Sequence, residues 1–182
     1  MLGLVVEAVS RLSYQQYVQE KIIKPCELER TGFYRLDSLP SNSAYGYVQD
    51  DDTGQWRANV FCMPVIGGSD GGLFTCAGDL AKLWRAVFSH EILSEEMTQS
   101  FLKPQVKMRS DPEHRGYYGL GVYINNNEDG SSTYYAVGGD FGVEFFTAYF
   151  PKQKIVASAL ANTEVRLFSL LRALLQSTCA IG

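Results

Sequence analysis

Apolar and polar positions along the chain follow two different periods, and the switch falls near Tyr117. Before it, apolar residues recur at helical spacing. Leu2-Gly3-Leu4-Val5-Val6-Glu7-Ala8-Val9 reads as a buried helix. No capping residue precedes it, and a helix needs its first N–H groups satisfied, so this abrupt start suggests a segment upstream of Met1. A second helix opens at Ser13, where Ser13 and Gln16 fit a capping box and Tyr14, Tyr17, Val18 and Ile22 share one face; Pro25 stops it. Thr75 is expected to cap a third helix, with Asp79 in the first turn and Leu80, Leu83, Trp84 and Val87 as its apolar face. Ser94 is expected to cap a fourth, which Pro104 ends. Between the second and third helices, residues 31–72 read as one long loop carrying Pro40, Gly46, Gly54, Pro64 and the acidic run Asp50-Asp51-Asp52. A loop of that length is usually functional or packed over a partner surface.

After Tyr117 the period becomes two. Residues 118–124 read as a strand, and residues 125–130 carry turn chemistry. Residues 133–137 form a second strand and residues 138–142 a glycine-rich connection. A third strand runs from Val143 to Phe150 and a fourth from Lys154 to Leu160, joined by Pro151-Lys152-Gln153. Connections this short imply an antiparallel meander. From Thr163 an amphipathic helix follows, apolar at Val165, Leu167, Phe168, Leu171, Leu174 and Leu175, and polar at Arg166, Arg172 and Gln176. It should cover one face of the sheet. The expected fold class is therefore α+β, with residues 1–116 a helical and loop region and residues 117–182 an antiparallel sheet with its C-terminal helix.

Composition narrows the function classes. The chain has 182 residues, 46% of them apolar and 20% charged, with a net charge of −4. No Lys/Arg block offers a nucleic-acid footprint. No apolar run reaches the ~18 residues of a membrane span. The apolar start is interrupted by Glu7 and lacks a basic lead, so it does not read as a signal peptide; a complete chain of this kind would be cytoplasmic. Cys26, Cys62, Cys76 and Cys179 form no Cys-x-x-Cys pair and lie far in sequence from His90 and His114, so neither a metal site nor a cofactor is expected. Reduced thiols in a reducing compartment are the simpler reading.

Gly67-Gly68-Ser69-Asp70-Gly71-Gly72 invites a phosphate-loop reading, but the Gly-Lys-Ser/Thr ending is absent. A tight turn against a cleft wall is expected instead. Asp111, Pro112, Glu113 and Arg115 surround His114, which reads as part of a solvated loop. His90 follows a helix, where an imidazolium suits the dipole. Glu144, alternating with Val143 and Phe145, should face solvent.

Six phrases in one order carry a resemblance. They are Leu2-Gly3-Leu4-Val5-Val6-Glu7-Ala8-Val9-Ser10; Ser13-Tyr14-x-x-Tyr17-Val18; and Ile23-Lys24-Pro25-x-x-Leu28-x-x-Thr31-Gly32-Phe33. After them come Asp70-Gly71-Gly72-Leu73-Phe74-Thr75-x-Ala77-Gly78-Asp79-Leu80, then Tyr118-Gly119-Leu120-Gly121, and last Gly138-Gly139-Asp140-x-Gly142. Together they resemble the serine β-lactamase-related hydrolases: class C β-lactamases, D-alanyl-D-alanine peptidases and related esterases. The resemblance covers nearly the whole chain but only the later part of the family's usual domain, which implies an incomplete β-lactamase/transpeptidase-like fold. In that family a serine of Ser-x-x-Lys attacks an amide or ester carbonyl, and lysine and tyrosine move protons to and from it. The resemblance places both the Ser-x-x-Lys and Tyr-x-Asn motifs upstream of Met1. The family's third motif, Lys-Thr-Gly or His-x-Gly, matches Ala136-Val137-Gly138, and alanine cannot donate to a substrate carboxylate. No catalytic residue is therefore assigned within this chain.

Two formal motif matches remain, Ser100-Phe101-Leu102-Lys103 and Tyr123-Ile124-Asn125. The nucleophile should open a buried helix. Ser100 instead sits near the end of a polar one, and Tyr123 lies on a strand entering an Asn-rich turn. Neither is expected to be catalytic. One wall of a cleft remains as the binding candidate: Gly138, Gly139 and Asp140, with the Gly71-Gly72 turn. The ligand implied for the intact protein is a small or peptide-like amide or ester, such as a β-lactam or a D-Ala peptide. A non-catalytic, penicillin-binding-like module that binds a ligand or partner is the other reading. An exposed sheet edge would also favour self-association.

Overall fold

The computed structural model describes residues 1–109 and 115–165, together with residues 167, 169, 170 and 173. Four α-helices come first: α1 (Leu2–Ser10), α2 (Tyr14–Val18), α3 (Ala77–Phe88) and α4 (Glu95–Leu102). The capping box at α2 forms as the sequence predicts. Ser13 Oγ accepts from the Gln16 N–H, and Gln16 Oε1 accepts from the Ser13 N–H. The helix then continues as a π-helical turn over Gln19–Ile23. Val18, Ile23, Cys26 and Leu28 pack with Ala86 of α3 into one core. Burial, and the nearby Glu91 carboxylate, raise the Cys26 thiol above its usual range.

Three expectations in this half are corrected. First, α1 forms but is not buried: only Gly3 is covered, by Ser69 and Tyr14, while Leu2 is 84% and Val9 81% exposed. Second, residues 31–72 contain a hairpin, β1 (Tyr47–Gln49) paired antiparallel with β2 (Trp56–Ala58). The acidic run closes its turn. Asp50 Oδ1 accepts from the backbone N–H groups of Asp52 and Thr53 and from Thr53 Oγ1, and Gly54 takes a left-handed φ of +68°. Third, Cys76 rather than Thr75 is the N-cap of α3, and it makes no side-chain cap bond. The Thr75 hydroxyl is 2.9 Å from Thr31 Oγ1 instead. Asp79, in the first turn, is buried and accepts from the Arg30 N–H and from Thr31 Oγ1, both at 2.8 Å. The helix start thus anchors the segment leaving α2. Ser94 caps α4 as expected.

The second half is an antiparallel sheet of six strands among the described residues, in sequence order: β3 (Val106–Lys107), β4 (Gly116–Tyr118), β5 (Tyr123–Asn126), β6 (Ser132–Asp140), β7 (Val143–Phe150) and β8 (Ile155–Ala161). The meander and the α+β class are as the period predicts. The strand expected over residues 118–124 is broken at Gly121, whose φ of +98° turns the chain between β4 and β5. Residues 138–140, expected in a connection, instead extend β6.

The register fixes two faces. Tyr134, Ala136, Gly138 and Asp140 pair with Tyr149, Thr147, Phe145 and Val143, so these eight side-chain positions share one face. That face receives α3. Trp84 Nε1 donates to Thr147 Oγ1 at 2.9 Å, and Phe88 packs against Tyr134 and Tyr149. The other face carries Tyr135, Phe146, Ala148 and Phe150, packed with Leu167. Leu167, Ser169, Leu170 and Ala173 are helical; Thr163, Glu164 and Val165, expected in the same helix, are not, and Arg166, Phe168, Leu171, Arg172, Leu174, Leu175 and Gln176 lie outside the described residues. Burial raises the Tyr135 phenol, and neighbouring Tyr123 adds to the shift.

Candidate functional site

The site begins with a mismatch in strand length. β6 has nine residues, but β5 pairs only with Ser132–Tyr135. Beyond that point the chain before β5 leaves the sheet at Gly121, whose φ is +98°, while Val122 packs with Trp84 and Ile124. The far half of β6, Ala136–Asp140, is therefore held on one side by β7. Among the described residues no strand pairs with its other side. Alternate backbone N–H and C=O groups along an unpaired edge are ready to pair with an extended chain. Gly138 and Gly139 keep that edge low: a Cβ at Gly138 would strike the Phe145 ring. Gly139 and Asp140 are exposed.

The β6–β7 turn is locked from behind by the hairpin. Asn59, in a 3-10 turn after β2, donates from Nδ2 to the Phe141 carbonyl at 2.8 Å, and its own N–H donates to the Gly46 carbonyl at 2.9 Å. The Tyr47 N–H meets the carbonyls of Asn162 at 2.9 Å and Gly142 at 3.3 Å. Gly46 and Gly142 allow this approach, since a Cβ on Gly46 would meet Asn59, Gly142 and Val143, and one on Gly142 would meet the Tyr47 backbone. Gly142 also has a φ of +70°. A shallow depression of about 370 Å³ opens beside the turn, lined by Gly139, Asp140, Phe141, Val143, Glu144 and Glu164. Glu144 was expected to face solvent. It is half-buried, and its Oε2 accepts from the Leu167 N–H at 2.8 Å, at the start of the C-terminal helical segment. Sequence reasoning offered no signal for Asn59, whose value lies in a contact made across 82 residues.

The Gly71-Gly72 turn is tight, as expected: Gly68 N–H donates to the Gly71 carbonyl at 2.9 Å, and Gly72 has a φ of +82°. Its contacts run to the helices, through Ser69 on Gly3 and through Gln15 Nε2 donating to the Gly67 carbonyl at 2.9 Å. Those of Gly138–Asp140 run to β7. The two formal motifs are kept apart by the sheet. Ser100 is exposed on α4, whose Phe101 packs on the α3 face, whereas Tyr123 stacks on Tyr135 on the other. Asn125 Nδ2 donates to Asn127. His90 holds a hydrogen bond of 3.1 Å between Nδ1 and the buried Thr98 hydroxyl. His114 and Cys179 lie outside the described residues. Among the described residues no cluster of three or more His, Cys, Asp or Glu side chains is placed to hold a metal ion, and no helix is long and apolar enough to cross a membrane.

Comparison with known proteins bears on the family and the fold. The sequence matches the Beta-lactamase family over residues 1–177. It is 38% identical to a penicillin binding protein of Bacillus halodurans, whose crystal structure superposes with a TM-score of 0.86 over 95% of this chain and 52% of that one. A penicillin-binding protein homologue of Pyrococcus abyssi, described as octameric, is 27% identical with a TM-score of 0.79, over 90% of this chain and 36% of that one. The teichoic acid D-alanine hydrolase of Staphylococcus aureus is 27% identical over 171 residues, 92% of this chain and 40% of that protein. The chain thus spans about half the length of the first relative and less of the other two.

Proposed function

The chain belongs to the beta-lactamase family, and from that premise we propose that it supplies the substrate-binding wall of a serine hydrolase acting by acyl transfer on an amide or ester. The open edge of β6 at Ala136–Asp140 carries this reading. An extended acyl group laid along it pairs with backbone groups and lines up its carbonyl beside the cleft, which is the positioning part of catalysis. Gly138, Gly139 and Asp140 form the rim, and the Gly71-Gly72 turn belongs to the same wall in this reading. Kinship with a teichoic acid D-alanine hydrolase makes a D-alanyl group a suitable acyl part.

Covalent catalysis requires a nucleophile within hydrogen-bond reach of a base. Neither formal motif in this chain meets that demand: Ser100 and Lys103 are both exposed on a helix end, and the Tyr123 ring lies on the opposite sheet face. The isolated chain binds without turning over. Its first test is intact mass after incubation with a labelled penicillin and an activated ester. No adduct is expected. Stoichiometric acylation at Ser100, abolished by Ser100→Ala and weakened by Lys103→Ala, overturns this assignment.

A second reading rests on a different observation. β8 is the last strand of the sheet, and its edge segment Ile155–Ala161 holds no charge and no proline, with Ile155 and Leu160 exposed. Such an edge lacks the usual devices against pairing. In this reading the isolated chain self-associates through it.

A further inference from the structure

We propose that the β6 edge selects an acyl group bearing an ammonium rather than a carboxylate, and that Asp140 is the residue that reads this charge. The proposal rests on the reading of the open edge given above. On the α3 face, β6 presents Tyr134, Ala136, Gly138 and Asp140, and their partners on β7 are Tyr149, Thr147, Phe145 and Val143. The next positions on β8 are Val156, Ser158 and Leu160. Asp140 is the only charged side chain among them. A ligand carboxylate lying along this edge meets a methyl group at Ala136, which offers it no side-chain cation or donor. A ligand ammonium meets a carboxylate that is already oriented. Asp140 Oδ1 accepts from the Phe141 N–H at 2.8 Å, and among the described residues nothing engages its other oxygen. Phe141 is held in turn by Asn59, so the carboxylate stands on a fixed turn. Among the described residues, the depression beside it adds the carboxylates Glu144 and Glu164 to its lining. Oppositely charged groups a few ångström apart at a protein surface gain enough to change affinity by about fivefold to tenfold.

The test titrates the isotope-labelled chain with D-alaninamide, N-acetyl-D-alaninamide and N-acetyl-D-alanine, following the amide signals of Gly138–Gly142. The first is cationic, the second neutral and the third anionic. The expected order of affinity is cation, neutral, anion, with about fivefold to tenfold between the first two. Asp140→Asn should bring the cation-to-neutral ratio close to one, and Ala136→Lys should move the anion ahead of the cation. Equal binding of all three ligands at this edge, or a ratio unmoved by Asp140→Asn, overturns the charge selection and leaves the edge reading standing. If none of the three perturbs these amides, both fall together.

Discussion

Asn59 Nδ2 donates to the carbonyl of Phe141 at 2.8 Å, tying the end of the β1–β2 hairpin to the turn that carries the open edge of β6. Asn59 is only 2% exposed. A buried amide in this position does more than fill space, because Phe141 O loses its partner when the donor is removed.

Asn59→Leu should therefore destabilise the chain by about 1 kcal/mol, the net loss of a part-buried hydrogen bond. Hydrogen exchange should accelerate at Gly142 and Val143 more than in the strands around Phe146. Chemical denaturation combined with exchange mapping measures both. Uniform acceleration across the sheet would show that Asn59 supports the whole fold rather than this turn.

Trp84 joins α3 to the sheet by ring packing on Tyr149 and by its bond to Thr147. Trp84→Phe keeps most of the packing and should cost about 1 kcal/mol, since Thr147 retains a 2.7 Å contact with Ser158. Trp84→Ala should cost about 3–5 kcal/mol. Equilibrium urea unfolding separates the two. Equal losses would mean that the hydrogen bond, not the ring, holds the layer.

Fold class was legible from local composition: the aromatic and β-branched runs of residues 133–137 and 143–150 are separated by a glycine-rich turn, and Ser13-Tyr14-Gln15-Gln16 and Ser94 announce their helices in local chemistry. The hairpin was not, because β1 and β2 have three residues each and β2 is exposed throughout, leaving no alternation to read. Thr75 looked like a cap, but a cap is decided by where the hydroxyl finds its partner, and that partner is Thr31. The glycines of the rim were visible as Gly138-Gly139. What leaves them on an open edge, the turn of the chain at Gly121 before β5, depends on pairing between distant residues.

Acid should weaken the turns of the sheet before its core. Asp129 accepts from Lys152 at 2.8 Å and from the Ser131 hydroxyl and N–H, and these bonds hold its carboxyl far below the usual range. A depressed folded-state pKa gives stability that is present above the unfolded value and lost as pH falls toward the folded one. Thermal midpoints should therefore fall as pH drops below about 4, the ordinary carboxylate value. Asp129→Asn should flatten that slope, and an unchanged slope would remove this contact from the account.

Self-association of the isolated chain is expected from the exposed β8 edge, and light scattering with size exclusion measures it. Leu160→Lys places a charge on that edge and should shift the population toward monomer. A monodisperse wild-type monomer with a cooperative melt would contradict the expectation.

The most direct test follows backbone exchange along β6 with and without an extended D-alanyl peptide. Amides of Ala136–Asp140 that face away from β7 should exchange quickly in the free chain and become protected on binding, while Ser132–Tyr135, already paired on both sides, should change little. Protection confined to the Gly67–Gly72 turn, or absent from Ala136–Asp140 at saturating peptide, would contradict the assignment of this edge as the binding wall.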